Sequence, residues 1–202
     1  MIASLLSFVI RLVAGTQAMW FGSEPSTRQC IYIANHTSHL DFLVLWASLP
    51  SSIRAMTRPV AARDYWNTSA ARRFLAVKVF RALLIDRGGG GAAKGDELLK
   101  PMIEALQQGD SLILFPEGTR GSGEDVAGFK SGIYHLCHQL PGLELTPVSL
   151  DNLNRILPKG EVLPVPVLSQ VHFGARIALQ DGETKAAFTT RAREAVVALR
   201  NR

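Results

Sequence analysis

The stretch QCIYIANHTSHLD, residues 29–41, decides the fold class. Residues 29–34 are apolar and rich in Ile and Tyr, which reads as a buried strand. Residues 35–41 form a polar loop that opens a helix running to about Ala47. A strand that feeds a helix through a short loop is half of a βαβ unit. The same order recurs outward from it. A short strand is expected at 53–56, then a basic helical stretch at 62–80 with a break near Asn67, then a strand at 83–86. A glycine run, Gly88 to Gly91, leads to a helix at 93–108, and SLILF at 111–115 is a second clear strand. A helix at 131–139, strands at 145–150 and 171–178, and a closing helix at 185–200 complete the chain. Residues 158–166, PKGEVLPVP, read as an extended loop or edge strand. The expectation is a single α/β domain, with a central mixed, mainly parallel sheet flanked by helices.

Size and composition agree with one packed domain. The chain has 202 residues, 47% hydrophobic and 19% charged. The charged share lies below the usual ~25%, which excludes disorder. Such a length buries roughly 70% of the unfolded surface, without disulfide staples. Cys30 and Cys137 lie far apart and outside any C-x-x-C pattern, which excludes a disulfide framework and a four-thiolate zinc site. Two reduced thiols in a reducing compartment is the simplest reading.

Residues 2–21 are almost wholly apolar, and as one helix they would extend about 30 Å. Arg11 sits in the middle, at a cost of ~2.5–3.5 kcal/mol or more for a true span. Ser4, Ser7, Arg11, Gly15 and Ala18 fall on one narrow stripe, with large apolar residues around the rest. That pattern suits a helix lying in the membrane interface, although a buried helix of a soluble core remains the plain alternative. No positive charge precedes the apolar run, so a signal peptide fits poorly. The expected division is a membrane-associated helix at 1–22 and a domain at 23–202.

Several chemistries fail on spacing. Lys94 after the glycine run is flanked by Ala93 and Gly95, so a Walker A loop is excluded and a Rossmann fingerprint is weak. No G-x-S-x-G elbow occurs. His36, His39 and Asp41 have no fourth metal ligand at a recognisable spacing, so no metal site is expected.

Two loops carry the chemistry that remains. In the first, Ser38 and Asp41 resemble a capping box. Asp41 thus reads either as a helix cap or as a carboxylate that turns back onto His36. In the second role it would fix the imidazole tautomer and make His36 a general base. In the second loop, FPEGTR at 115–120 leaves a strand end, where open α/β sheets bind ligands. Gly118 permits close backbone approach, Glu117 can accept from a substrate hydroxyl, and Arg120 offers a planar fork for phosphate. Arg87 closes a third strand end.

The His36-x4-Asp41 loop, the Phe115–Arg120 block and their order resemble the glycerolipid acyltransferase family, best known for its 1-acyl-glycerol-3-phosphate acyltransferases. The resemblance covers roughly residues 29 to 177. Phe129-Lys130-Ser131-Gly132 is similar to the family's F-K-x-G segment, and Thr146-Pro147-Val148 to its later proline motif. Arg81 stands where the family usually has Gly, and Gly121 where it usually has Ser.

The resemblance implies transfer of a fatty acyl group to the hydroxyl of a lysophospholipid, first among them 1-acyl-glycerol-3-phosphate, giving phosphatidic acid. The donor would be acyl-CoA or acyl carrier protein, as co-substrate. His36 would be the catalytic base with Asp41 orienting it. Glu117, Gly118, Thr119 and Arg120 would bind the acceptor, with Arg87 and Lys130 adding positive charge. No metal or other cofactor is called for. Another lyso-acceptor, such as a lyso-aminolipid, is the alternative within the family. A non-catalytic membrane-binding module is the alternative outside it.

The net charge of +5 is concentrated. Between Arg58 and Arg87 lie seven basic residues against Asp64 and Asp86, an excess equal to that of the whole chain. Tyr65, Trp66, Phe74 and Phe80 are interleaved there, which suits an anionic lipid surface; a solvated helix face is the plain alternative. A nucleic-acid partner is not expected, because the acyltransferase signature accounts for the charge better. The expected location is the cytoplasmic face of the plasma (inner) membrane.

Overall fold

The computed structural model describes residues 2–38, 40–86, 92–153 and 168–200, without the side chains of 92–96. Among the described residues eight strands, numbered in chain order, form one sheet in the order β1-β7-β6-β2-β5-β3-β4, with β8 also pairing β6. The inner strands are β2 (Ile31–Ala34), β5 (Ser111–Leu114) and β6 (Glu144–Asp151), and β2 pairs parallel with both β5 and β6. β3 (Thr57–Ala62) and β4 (Leu83–Ile85) extend the parallel arrangement. β7 (Gln170–Phe173) and β8 (Ile177–Ala178) run antiparallel to β6. The mixed, mainly parallel α/β sheet is therefore as expected. β2 is buried along its whole length, as a strand covered on both faces must be.

Two helical layers cover the sheet. On one face lie α1 (Ile2–Val13), α2 (Asp41–Ser48) and the segment 63–80, packed around Trp46, Phe80 and Phe173. On the other lie α6 (Ala92–Gln107), α7 (Gly132–Gln139) and α8 (Lys185–Val197), packed around Leu112, Leu136 and Phe188. The glycine run and residues 158–166 lie outside the described residues.

The apolar N-terminal stretch is not one helix. α1 ends at Val13, because Gly15 takes a left-handed φ of 52°. The Thr16 N–H then reaches the Arg11 carbonyl and the Gly15 N–H the Leu12 carbonyl, a glycine stop of the Schellman type. β1 (Gln17–Trp20) follows and joins the sheet edge parallel to β7, with Trp20 stacked on Phe173 at 4.0 Å. β1, within residues 1–22, therefore pairs into the sheet. Among the described residues no helix is long and apolar enough to cross a membrane. On α1, Ala3, Leu6, Ser7 and Ile10 face the core. Ser7 is thus buried rather than part of an outer polar stripe. Ile2, Leu5, Phe8, Val9, Leu12 and Val13 are turned away from the protein, with Leu5 and Leu12 67% and 69% exposed.

Three further expectations shift. Residues 53–56 are not a strand: Pro50 precedes a short helix, α3 (Ser51–Ala55), and the strand starts at Thr57. The basic stretch does break at Asn67, but into α4 (Arg63–Trp66), α5 (Ala70–Phe74) and a π-helical turn at Leu75–Val79. The strand expected at 171–178 is two strands. They separate where β6 passes Thr146 and Pro147, which pair with neither, and Gly174 donates to the Pro147 carbonyl. Pro147 lacks a ladder N–H, so it sits where β6 changes partners.

Candidate active site

The site forms where β2 and β5 end side by side. Asn35 anchors the loop after β2. Its buried side chain donates to the Leu150 carbonyl at 2.9 Å and accepts from the Leu150 N–H at 2.8 Å, so it extends the β2–β6 ladder by one rung. Asp41 opens α2 and is fully buried. Its Oδ2 receives His36 Nδ1 at 2.7 Å, the Thr37 N–H at 2.6 Å and the Ser38 N–H at 2.8 Å. Asp41 does turn back onto His36, as the second of its two readings expects of its geometry. No side chain caps α2 at Leu40; the Ser38 hydroxyl accepts from the Leu40 N–H at 3.2 Å instead. An ionised carboxylate can only accept, so in this bond the proton sits on Nδ1 and Nε2 faces away from Asp41. Phe115, at the end of β5, stacks on the His36 ring at 4.4 Å and 24°. The ring is thereby fixed in tilt by Phe115 and in rotation by Asp41.

The F-P-E-G-T-R loop locks onto the first loop through Glu117, which is buried. Its Oε1 accepts the His36 N–H at 2.6 Å and its Oε2 the Ala127 N–H at 2.9 Å. Beside the expected role, accepting from a substrate hydroxyl, the geometry gives Glu117 a second one: each oxygen serves a backbone N–H. Gly118 turns the chain at φ 73°, and a Cβ there would meet Lys130 Nζ at 2.5 Å. The glycine therefore clears a path for Lys130, whose ammonium lies against the loop, rather than only admitting a substrate to the backbone. Thr119 and Arg120 are exposed on the same loop. Neither Arg120 nor Lys130 pairs with a carboxylate among the described residues. Arg87 lies outside the described residues.

A family model for acyltransferases matches residues 22–151. The chain belongs to the acyltransferase family. A 1-acyl-sn-glycerol-3-phosphate acyltransferase of Limnanthes alba is 31% identical over 150 residues, covering 72% of this chain and 50% of that protein. One from Cocos nucifera is 28% identical over 181 residues, covering 85% and 56%. The chain thus spans about half the length of the curated relatives it matches. The crystal structure of the 1-acyl-sn-glycerophosphate acyltransferase PlsC from Thermotoga maritima superposes with a TM-score of 0.76. It covers 98% of this chain and 77% of its own, at 18% identity. At that identity the likeness shows a shared fold.

Among the described residues no group of three or more His, Cys, Asp or Glu side chains is placed to hold a metal. Both cysteines are buried away from the site. Burial pushes the Cys30 thiol up, and the Cys137 thiol up to about 12, so neither is a ready nucleophile. Sequence reasoning missed Asn35, Phe115 as a stacking partner and the inward role of Glu117. The signal for the first two was their place directly after strands β2 and β5. Nothing in the sequence pointed to the third.

Proposed function

We propose that the protein transfers an acyl group from a thioester, of coenzyme A or acyl carrier protein, to the hydroxyl of 1-acyl-glycerol-3-phosphate, giving phosphatidic acid. The observation that carries this reading is the His36–Asp41 pair at 2.7 Å, held at the strand ends beside the F-P-E-G-T-R loop. His36 Nε2 takes the proton from the acceptor hydroxyl as its oxygen attacks the thioester carbonyl. Asp41 holds the imidazole in register and stabilises the imidazolium that forms. The tetrahedral intermediate collapses, the C–S bond breaks, and the thiolate leaves with the proton carried by His36. No acyl-enzyme is needed, which agrees with two buried thiols. Arg120 and Lys130, both exposed beside the same loop, supply positive charge for the acceptor phosphate. A lyso-aminolipid without phosphate would leave both cations unmatched, so the phosphate-bearing acceptor is preferred.

The outer face of α1 supports binding at a membrane surface. Six apolar side chains point away from the core, on the helix packed against α2, which begins at Asp41. A contiguous exposed apolar face of this kind marks an interaction surface. Two unoxidised, buried thiols suit the cytoplasmic side. The test is an assay of purified protein in mixed micelles, offering lysophosphatidate and a lyso-aminolipid with acyl-CoA or acyl carrier protein thioesters. Phosphatidate formation with one of the two donors supports the reading; acylation of the aminolipid alone overturns the acceptor assignment.

A further inference from the structure

Residues 121–127, directly after Arg120, are gripped from two sides. On the inner side, the Gly121 N–H donates to the His36 carbonyl at 2.8 Å, and the Ala127 N–H donates to Glu117 Oε2 at 2.9 Å. Glu117 Oε1 takes the His36 N–H. The backbone of His36 is therefore held at both its N–H and its carbonyl by this segment and its anchor. On the outer side, the final helix and its tail supply two arginines. Arg193 Nε donates to the Val126 carbonyl at 2.8 Å. Arg200 donates to the Glu124 carbonyl at 3.0 Å and to the Gly123 carbonyl at 2.6 Å, and its Nε stands 3.5 Å from Asp151 Oδ1. These guanidinium groups are half-buried and bind the carbonyls of an irregular loop. Such carbonyls would otherwise be left to solvent.

We propose that residues 121–127 form a brace that sets the position of His36, with Glu117, Arg193 and Arg200 as its positioning residues. This rests on His36 being the base of the acyl transfer. The brace fixes the backbone of His36, while Asp41 and Phe115 fix its ring. Glu117 has a carboxylate because two N–H groups converge on it from different loops. An amide has one acceptor and would turn its NH2 against the other N–H. Arg193 makes one bond, so Lys can replace it, whereas Ala cannot. Positioning to within a fraction of an ångström matters because misplacement by about 1 Å costs on the order of 10²-fold in rate.

The test uses the purified full chain with Glu117→Gln, Arg193→Ala and Arg193→Lys. Three readouts are taken: kcat, acceptor KM, and amide hydrogen exchange at His36 and Ala127. For Glu117→Gln the expected result is a fall in kcat of roughly 10- to 100-fold, with acceptor KM unchanged within about twofold, as misplacement of a base rather than loss of a ligand requires. Both amides exchange faster, while those of β2 keep their protection. Arg193→Ala shows the same split more weakly, and Arg193→Lys restores kcat. A raised acceptor KM with kcat intact in Glu117→Gln would make Glu117 a substrate ligand and overturn the proposal. Unchanged exchange at both amides would also overturn it. If Glu117→Gln fails to fold, the Arg193 pair decides by the same criteria. If the wild-type protein transfers no acyl group, the acyltransferase reading fails, and amide exchange still decides whether the brace exists.

Discussion

The loop around His36 and the basic stretch 58–81 both carry dense polar sequence, yet the fold treats them in opposite ways. Around His36 the key polar groups converge on two carboxylates, Asp41 and Glu117, which together take His36 Nδ1 and four backbone N–H groups. In the basic stretch the cations disperse. Arg58 and Arg81 both bind Asp110, which lies far along the chain. Arg63 binds Asp86, and Arg72 lies over the Tyr65 ring and donates to Thr68. Arg73 and Lys78 remain without a carboxylate among the described residues, beside the exposed Phe74, Leu75 and Val77. Counting charges along the sequence therefore overstates the free charge of this stretch. What it leaves is a smaller feature, a mixed apolar and cationic turn on the same side of the sheet as α1.

The two regions differ in how sensitive they should be to single changes. Asp41→Asn should do the greatest damage. It keeps the volume but misorients the imidazole, and steady-state transfer should fall by roughly 10²- to 10⁴-fold. A loss under tenfold would break the contrast, since it would make the convergent loop as tolerant as the dispersed one. Next comes α1. Replacing Leu5 and Phe8 with Glu removes about 1.5–3 kcal/mol of apolar burial per side chain, so partition onto lipid vesicles should drop by about 10²-fold or more. Flotation of wild-type and double-variant protein with vesicles reads this directly, and equal flotation would exclude α1 as the membrane contact. Arg73→Gln with Lys78→Gln should have the smallest effect. At ~1 kcal/mol per charge near an anionic surface, binding should weaken by about 30-fold at most, only on vesicles with anionic lipid. The loss should shrink at high salt. An equal loss on neutral vesicles would show that the turn acts by some route other than charge.

The sheet core was legible because β2, β5 and β6 are apolar runs bounded by polar loops. The failures have specific causes. Residues 2–21 look like one helix because composition does not register the backbone turn at Gly15, after which Gln17–Trp20 find a partner in β7, some 150 residues away. Only tertiary pairing makes that segment a strand. Arg81 shows the converse. It takes a left-handed φ of 52° at the position where the resembling family has Gly. The residue type hides the conformation, and its side chain reaches Ala55 and Asp110 across the turn. In the site, His36 and Asp41 were legible because their spacing is local: five residues suffice to bring a first-turn carboxylate back to the loop. The backbone partners of Glu117 were not legible because His36 and Ala127 lie 81 and ten residues away. From sequence, a carboxylate in the same loop as Arg120 looks substrate-facing, and only the fold shows both oxygens accepting backbone N–H groups.

The most direct test of the account is a comparison of wild-type and His36→Ala protein, offered lysophosphatidate and a matched acyl thioester and read by lipid mass spectrometry. The side chain of His36 is partly exposed and its backbone bonds do not depend on the imidazole, so the variant should fold. The wild type should form phosphatidate, and the variant should form it roughly 10²- to 10⁴-fold more slowly. Near-equal phosphatidate formation by a folded His36→Ala protein would contradict the account.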